Sequence, residues 1–124
     1  FELFAVPTDG SAGPTKVSGT AAGGGNVFGG WEVSPDGSRV IYRGDQDTIG
    51  TFEIYSAPID GSSAPVKLNG AMTTGGNAQT GFQITSDSSR VVYLADQDTD
   101  EVVELYSAPI DGSSSATTNT SGRM

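Results

Sequence analysis

The stretch YSAPIDGSS occurs at 55–63 and again at 106–114, and LFAVPTDGS at 3–11 is a looser copy of it. The spacing is constant: Tyr106 lies 51 positions after Tyr55, Arg90 51 after Arg39, Asp96 51 after Asp45 and Glu53 51 after Glu2. At the same offset GPTKVSG (13–19) falls on APVKLNG (64–70), GGN (24–26) on GGN (75–77), and DGSRVIYRGDQDT (36–48) on DSSRVVYLADQDT (87–99). The chain is an internal repeat, and a period of this length is the mark of solenoids and of propeller blades.

Within one period, clusters of Gly, Pro, Asn and Asp separate short apolar segments of strand length. In the middle copy these are FGGWEVS (28–34), SRVIYR (38–43), FEIYSAP (52–58) and PVKLN (65–69). They alternate with the period of a strand: Trp31 and Val33 oppose Glu32, and Phe52 and Ile54 oppose Glu53 and Tyr55. No window holds an amphipathic helix. SPDGS and IDGS place Asp-Gly where a hairpin reverses and a residue with positive φ is wanted. In the last copy Ser86 and Ser88 replace that Pro and Gly, so this turn is expected to do without glycine or to be looser. Four antiparallel strands per period describe a propeller blade, and the expected fold is all-β.

WEVSPDGSRVIYRGD (31–45) followed by FEIYSAPIDGS (52–62) resembles the TolB-like, or WD-repeat-like, propeller repeat of bacterial proteins. The likeness covers nearly the whole chain in register. It implies a β-propeller in a periplasmic or extracellular protein. The role it implies is either a protein-binding scaffold or a propeller attached to a hydrolase domain of the prolyl-oligopeptidase kind.

Phe1 aligns with Phe52, which lies in a third strand, so the register divides the chain into a half blade (1–22) and two blades (23–73 and 74–124). Propellers close with about 4 to 8 blades. The expectation is therefore about two and a half blades of an incomplete ring, finished by further blades of a longer chain or by a homo-oligomer. Alone, such a piece should expose apolar faces and strand edges.

Fifteen acidic residues against six basic ones give a net charge of -9. A surface of that sign repels phosphate backbones and argues against nucleic acid as a partner. No apolar run approaches the roughly 20 residues of a membrane-spanning helix. Without His or Cys there is no His-based triad, no thiol nucleophile and no imidazole or thiolate metal site. A carboxylate pair of the glycosidase kind needs only two Asp or Glu, but the acidic residues other than Glu32, Asp100 and Glu101 recur at the repeat offset. Catalytic groups break symmetry, so the chain is expected not to be an enzyme.

One face of a propeller gathers the loops between blades and those between second and third strands. Here it would carry GGGNV and TGGNA, with Asn26 and Asn77, and GDQDTIG and ADQDTDE, with Asp45, Asp47, Asp96 and Asp98. These residues are the candidate ligand-binding set. Asp96, Asp98 and Asp100 alternate as in a calcium loop, with Glu104 further on, and hard oxygens at that spacing suit Ca²⁺. Against calcium stand the missing loop glycine, Ile49 at the offset of Asp100, and the habit of Asp and Asn to cap turns. Capped turns are the preferred reading, and no cofactor is expected.

Arg39 and Arg90 are read as tied to the acidic turns at Asp36 and Asp87 rather than as an anion site. Tyr42, Tyr55, Tyr93 and Tyr106 are expected to pack between sheets. Trp31, whose counterpart is Phe82, is expected to fill core rather than to stack on a sugar. Asn119 opens an N-x-T/S sequon in a low-complexity tail. The expected role is a non-catalytic module for protein binding or scaffolding in a bacterial envelope or secreted protein. The alternatives are the propeller domain of a larger hydrolase and a carbohydrate-binding oligomer.

Overall fold

A computed structural model describes residues 1–21 and 23–118. Its strands are β1 (Phe4–Ala5), β2 (Thr15–Lys16), β3 (Val27–Val33), β4 (Arg39–Gly44), β5 (Glu53–Pro58), β6 (Val66–Lys67), β7 (Gln83–Ile84), β8 (Arg90–Ala95), β9 (Glu104–Pro109) and β10 (Thr117–Thr118), with no helix among the described residues. They form a two-stranded sheet β1-β2 and two four-stranded antiparallel sheets, β3-β4-β5-β6 and β7-β8-β9-β10. In each sheet the order in space is the order in sequence, so every connection is a hairpin. The two larger sheets are blades, and β1-β2 is the outer half of a third, with its strands at the repeat positions of β5 and β6.

Alternation along each strand builds the spaces between blades. Val40, Tyr42, Tyr55 and Ala57 turn back towards the half blade and pack with Val17, Leu3 and Ala5. Ile41 and Ile54, one residue out of phase, turn forward and pack with Phe82, Val91, Tyr93 and Tyr106 of the next blade. A central strand is thus apolar on both faces, which is why SRVIYR reads as a continuous run. Tyr42 stands opposite Tyr55, and Tyr93 opposite Tyr106. The rings stack at 5.2 and 5.4 Å with 17° and 15° between their planes, contacts that add about 0.5–1.5 kcal/mol per pair beyond their burial.

The repeated YSAPIDGSS serves one contact. Its Asp-Gly turn leaves the third strand and leans on the fourth strand of the preceding blade. A Cβ on Gly61 would come within 2.4 Å of Thr15 Cγ2, and one on Gly112 within 3.0 Å of Val66 Cγ2. Both glycines also have φ of 70°, so a side chain is excluded twice over. Asp60 and Asp111 close the turns by accepting from the amides of Ser62 and Ser113, each at 2.9 Å.

The structure corrects some of the expectations. The Ser86 to Ser88 turn is not looser: Ser88 N donates to Thr85 O at 2.9 Å as Gly37 N does to Ser34 O at 2.8 Å. Ser88 takes the left-handed conformation of Gly37, with φ 61° against 74°. Its hydroxyl gains a contact that glycine lacks, accepting from Asp36 N of the neighbouring blade at 3.0 Å. Arg39 and Arg90 do not bind their acidic turns. Each crosses to the third strand, Nε donating to Ser56 Oγ at 2.7 Å and to Ser107 Oγ at 2.6 Å, because Arg39 pairs with Pro58 and Arg90 with Pro109 beside those serines. The carboxylates of Asp36 and Asp87 are taken by Ser38 and Ser89. Trp31 is not core: it is 60% exposed, whereas Phe82 is 7% exposed. It faces the half blade, where no first or second strand covers it among the described residues. Asn119 lies outside the described residues.

Candidate functional site

The two loop families of the candidate face do meet, and the residues that recur are what join them. Asp45 accepts from Asn26 N at 2.7 Å through one carboxylate oxygen and from Gly50 N at 2.9 Å through the other. It therefore holds the loop that enters its blade and the loop within it. Asp96 repeats the arrangement with Asn77 N at 2.7 Å and Glu101 N at 3.0 Å. The asparagines extend the chain of bonds across the blade boundary. Asn77 Oδ1 accepts from Phe52 N at 2.7 Å, and Asn26 Oδ1 accepts from the Phe1 nitrogen. Beside these bonds, Ala78 N donates to Phe52 O and Val27 N to Phe1 O, both at 2.8 Å.

Gln46 and Gln97, which are outside the candidate set, complete this latch. Gln46 Oε1 accepts from Gly19 N at 2.9 Å and from the Tyr42 hydroxyl at 2.7 Å. Gln97 Oε1 accepts from Gly70 N at 3.1 Å and from the Tyr93 hydroxyl at 2.9 Å. Gly19 and Gly70 follow the fourth strands of the preceding blades, so each glutamine ties two blades directly while a buried phenol of its own blade holds it in place. The signal was present, since DQDT recurs with its glutamine. A glutamine does not titrate, so its recurrence alone carries no signature of chemistry.

Asp47 and Asp98 turn elsewhere. Asp47 forms an ion pair with Lys67 Nζ at 3.1 Å, and Lys67 also reaches the buried Glu53 at 3.1 Å. Asn69 Nδ2 donates to the same Glu53 oxygen at 3.1 Å. Thr118 stands at the offset of Lys67 in the last blade, and there Asp98 Oδ2 accepts from the Tyr106 hydroxyl at 2.9 Å.

Asp96, Asp98 and Asp100, the residues of the calcium-loop spacing, are each engaged with groups of the protein itself. Both oxygens of Asp96 already receive backbone N–H groups, Asp98 is drawn to Tyr106, and Asp100 interacts with Asp96 beside Gly75. Among the described residues no group of three or more such side chains could hold a metal ion.

The electrostatics follow from these contacts. The amides of Gly50 and Asn26 hold the Asp45 carboxyl below its ordinary range. Burial opposes the same effect at Asp96, but the amides of Asn77 and Glu101 prevail and lower it too. Hydroxyls of Ser89 and Thr85 bring Asp87 down to about 2. Burial pushes the hydroxyls of Tyr42 and Tyr106 up to about 12 and raises Tyr55 and Tyr93 as well. Each of these shifts moves a group away from neutrality, whereas acid–base catalysis wants one moved towards it.

No family model matches this sequence, and no curated protein matches it. Among solved structures, one from Agrobacterium tumefaciens assigned as a TolB is similar over 95% of this chain, with a TM-score of 0.60 and 21% sequence identity. The chain spans 40% of that protein's length. At this identity the likeness is one of fold: the sheets described above are blades of a β-propeller, about two and a half of them.

Proposed function

We propose that the chain is a non-catalytic propeller module for protein binding or scaffolding, in a bacterial envelope or secreted protein. The observation that carries this reading is the division of labour on the loop face. The residues that recur, Asn26 with Asn77, Asp45 with Asp96 and Gln46 with Gln97, are engaged with backbone of their own or the adjacent blade. What differs between the copies is the loop tip, Ile49 and Gly50 in one and Asp100 and Glu101 in the other. These tips are exposed, and Ile49 is 57% exposed. A rigid frame with dissimilar exposed loops is how repeat proteins present a recognition surface. The location in the envelope or outside it rests on the TolB-like resemblance alone.

The test is a selection of peptides on the immobilised chain, followed by Ile49→Ser and Asp100→Ser. Binding lost in these variants at an unchanged melting temperature supports the reading. Binders that ignore both substitutions, or a selection that yields none, overturn it.

A further inference from the structure

The junction between the two four-stranded blades carries a group of residues that the repeat does not share. Phe28, Gly29, Arg43 and Phe52 have Gln79, Thr80, Leu94 and Val103 at the repeat offset. In space the four come together. The Arg43 guanidinium lies over the Phe52 ring, 4.2 Å from its centroid, and the Phe28 ring stands 6.2 Å from that of Phe52, tilted by 47°. Arg43 Nε crosses to the next blade and donates to Ala78 O at 2.8 Å, while Nη1 donates to Phe28 O at 3.2 Å. Gly29 makes the room for it: its φ is 92°, in the irregular stretch of β3, and a Cβ there would strike Arg43 Nη1. Glycine thus stands with arginine in one copy and threonine with leucine in the other.

The charge at this junction is only partly satisfied. Nε and Nη1 of Arg43 are engaged, and Nη2 has no partner among the described residues. The ion pairs there are those of Lys16 and Lys67, not of Arg43. Burial draws the Arg43 pKa down and Asp45 opposes it, but both Asp45 oxygens are held by the amides of Asn26 and Gly50. A cation drawn partly out of water and left unpaired is completed best by a carboxylate. Beside it Phe28 is 59% exposed, although both sheets of its junction are present, and Ile49, in the loop that joins Arg43 to Phe52, is 57% exposed. An arginine stacked on an aromatic ring among exposed apolar side chains has the composition of an interface hot spot.

We propose that this junction docks a segment of a partner protein in which an Asp or Glu carboxylate meets Arg43 and an adjacent apolar side chain covers Phe28. The inference rests on the protein-binding reading and names its partner class. The net charge of -9 disfavours a polyacidic tract, so a single carboxylate flanked by apolar residues is the pattern that fits.

Short random peptides selected on the intact chain supply the probes, and the binders should carry Asp or Glu next to Leu, Phe or Met. Replacing that Asp or Glu by its amide in the peptide should weaken binding about tenfold or more. Phe28→Gln, which gives an exposed position the residue that the next blade carries there, should weaken it too at an unchanged melting temperature. Arg43→Leu should erase the preference for the acidic peptide over its amide. Should that variant fold poorly, the peptide change and Phe28→Gln decide by themselves. Binders that tolerate both the amide and Phe28→Gln overturn the inference, and if the same binders are lost in Ile49→Ser the protein-binding reading survives it. A selection that yields no binder overturns both.

Discussion

Trp31 and Phe82 occupy the same position of the repeat, one period apart, yet one is 60% exposed and the other 7%. Their places along the chain correspond: each is an aromatic three residues before the SPDGS-type turn, Trp31 within β3 and Phe82 just ahead of β7. The difference lies in what stands behind. Phe82 meets Gly30 and Ile41 of a complete blade, whereas Trp31 faces a half blade made only of outer strands. Equivalent aromatic positions of the repeat are core or surface according to the neighbour. In a repeat array, stability lies between units as much as within them.

The comparison can be broken most directly by truncating both rings. Phe82→Ala should cost about 3–5 kcal/mol, the range for removing a buried aromatic. Trp31→Ala should stay within about 0.5 kcal/mol, as an exposed site does. Urea denaturation of the two variants measures the contrast. Equal losses would mean that the Trp31 flank is covered in solution.

The latch sharpens the same contrast. Asn77→Ala removes the acceptor from Phe52 N at a sealed boundary and should cost about 1–2 kcal/mol. Asn26→Ala, whose bond reaches the exposed Phe1, should cost less. Exchange of the Phe52 amide, accelerated in Asn77→Ala and unchanged in Asn26→Ala, locates the effect.

The two blades also differ in backbone strain. Glu101 has φ 66° where Gly50 has 84°, as Ser88 has 61° where Gly37 has 74°. Glu101→Gly should relieve the left-handed side chain and stabilise by about 0.5–1 kcal/mol. Ser88→Gly should gain less, because it gives up the bond from Asp36 N. Thermal melts rank the pair, and an equal gain would remove the blade-crossing role of Ser88.

Acid should loosen turns and latches together. Asp45, Asp87 and Asp96 have folded-state values below the ordinary 3.8, with Asp87 at about 2. A depressed carboxylate contributes stability above its unfolded value and loses it as pH falls through the folded one. The melting temperature should therefore decline from about pH 4 towards pH 2, and Asp96→Asn should flatten part of that decline. The smallest effect is expected from calcium. Millimolar Ca²⁺ against chelator should leave the melting curve unchanged, since the oxygens of Asp96 are already occupied.

The blade was legible in the sequence because a strand writes itself in alternation and a hairpin in Asp-Gly. FGGWEVS, SRVIYR, FEIYSAP and PVKLN became β3, β4, β5 and β6 with their ends shifted by a residue or so. The loop face was legible as a place, with Asn26 beside Asp45 and Asn77 beside Asp96, but not as a mechanism of cohesion. A carboxylate in a sequence does not declare whether its oxygens face a metal or a backbone amide. The error over Arg39 has a similar cause. Proximity along the chain suggested Asp36, whereas strand pairing brought Ser56 closer.

By itself, then, the sequence determined the period, the strands, the turns and the phase of every buried tyrosine, because these depend on residues a few positions apart. Tertiary structure alone decided which repeated positions are covered and where the polar groups of the loops are spent. Those outcomes depend on the adjacent blade, and a repeat cannot record in its own residues whether a neighbour is present.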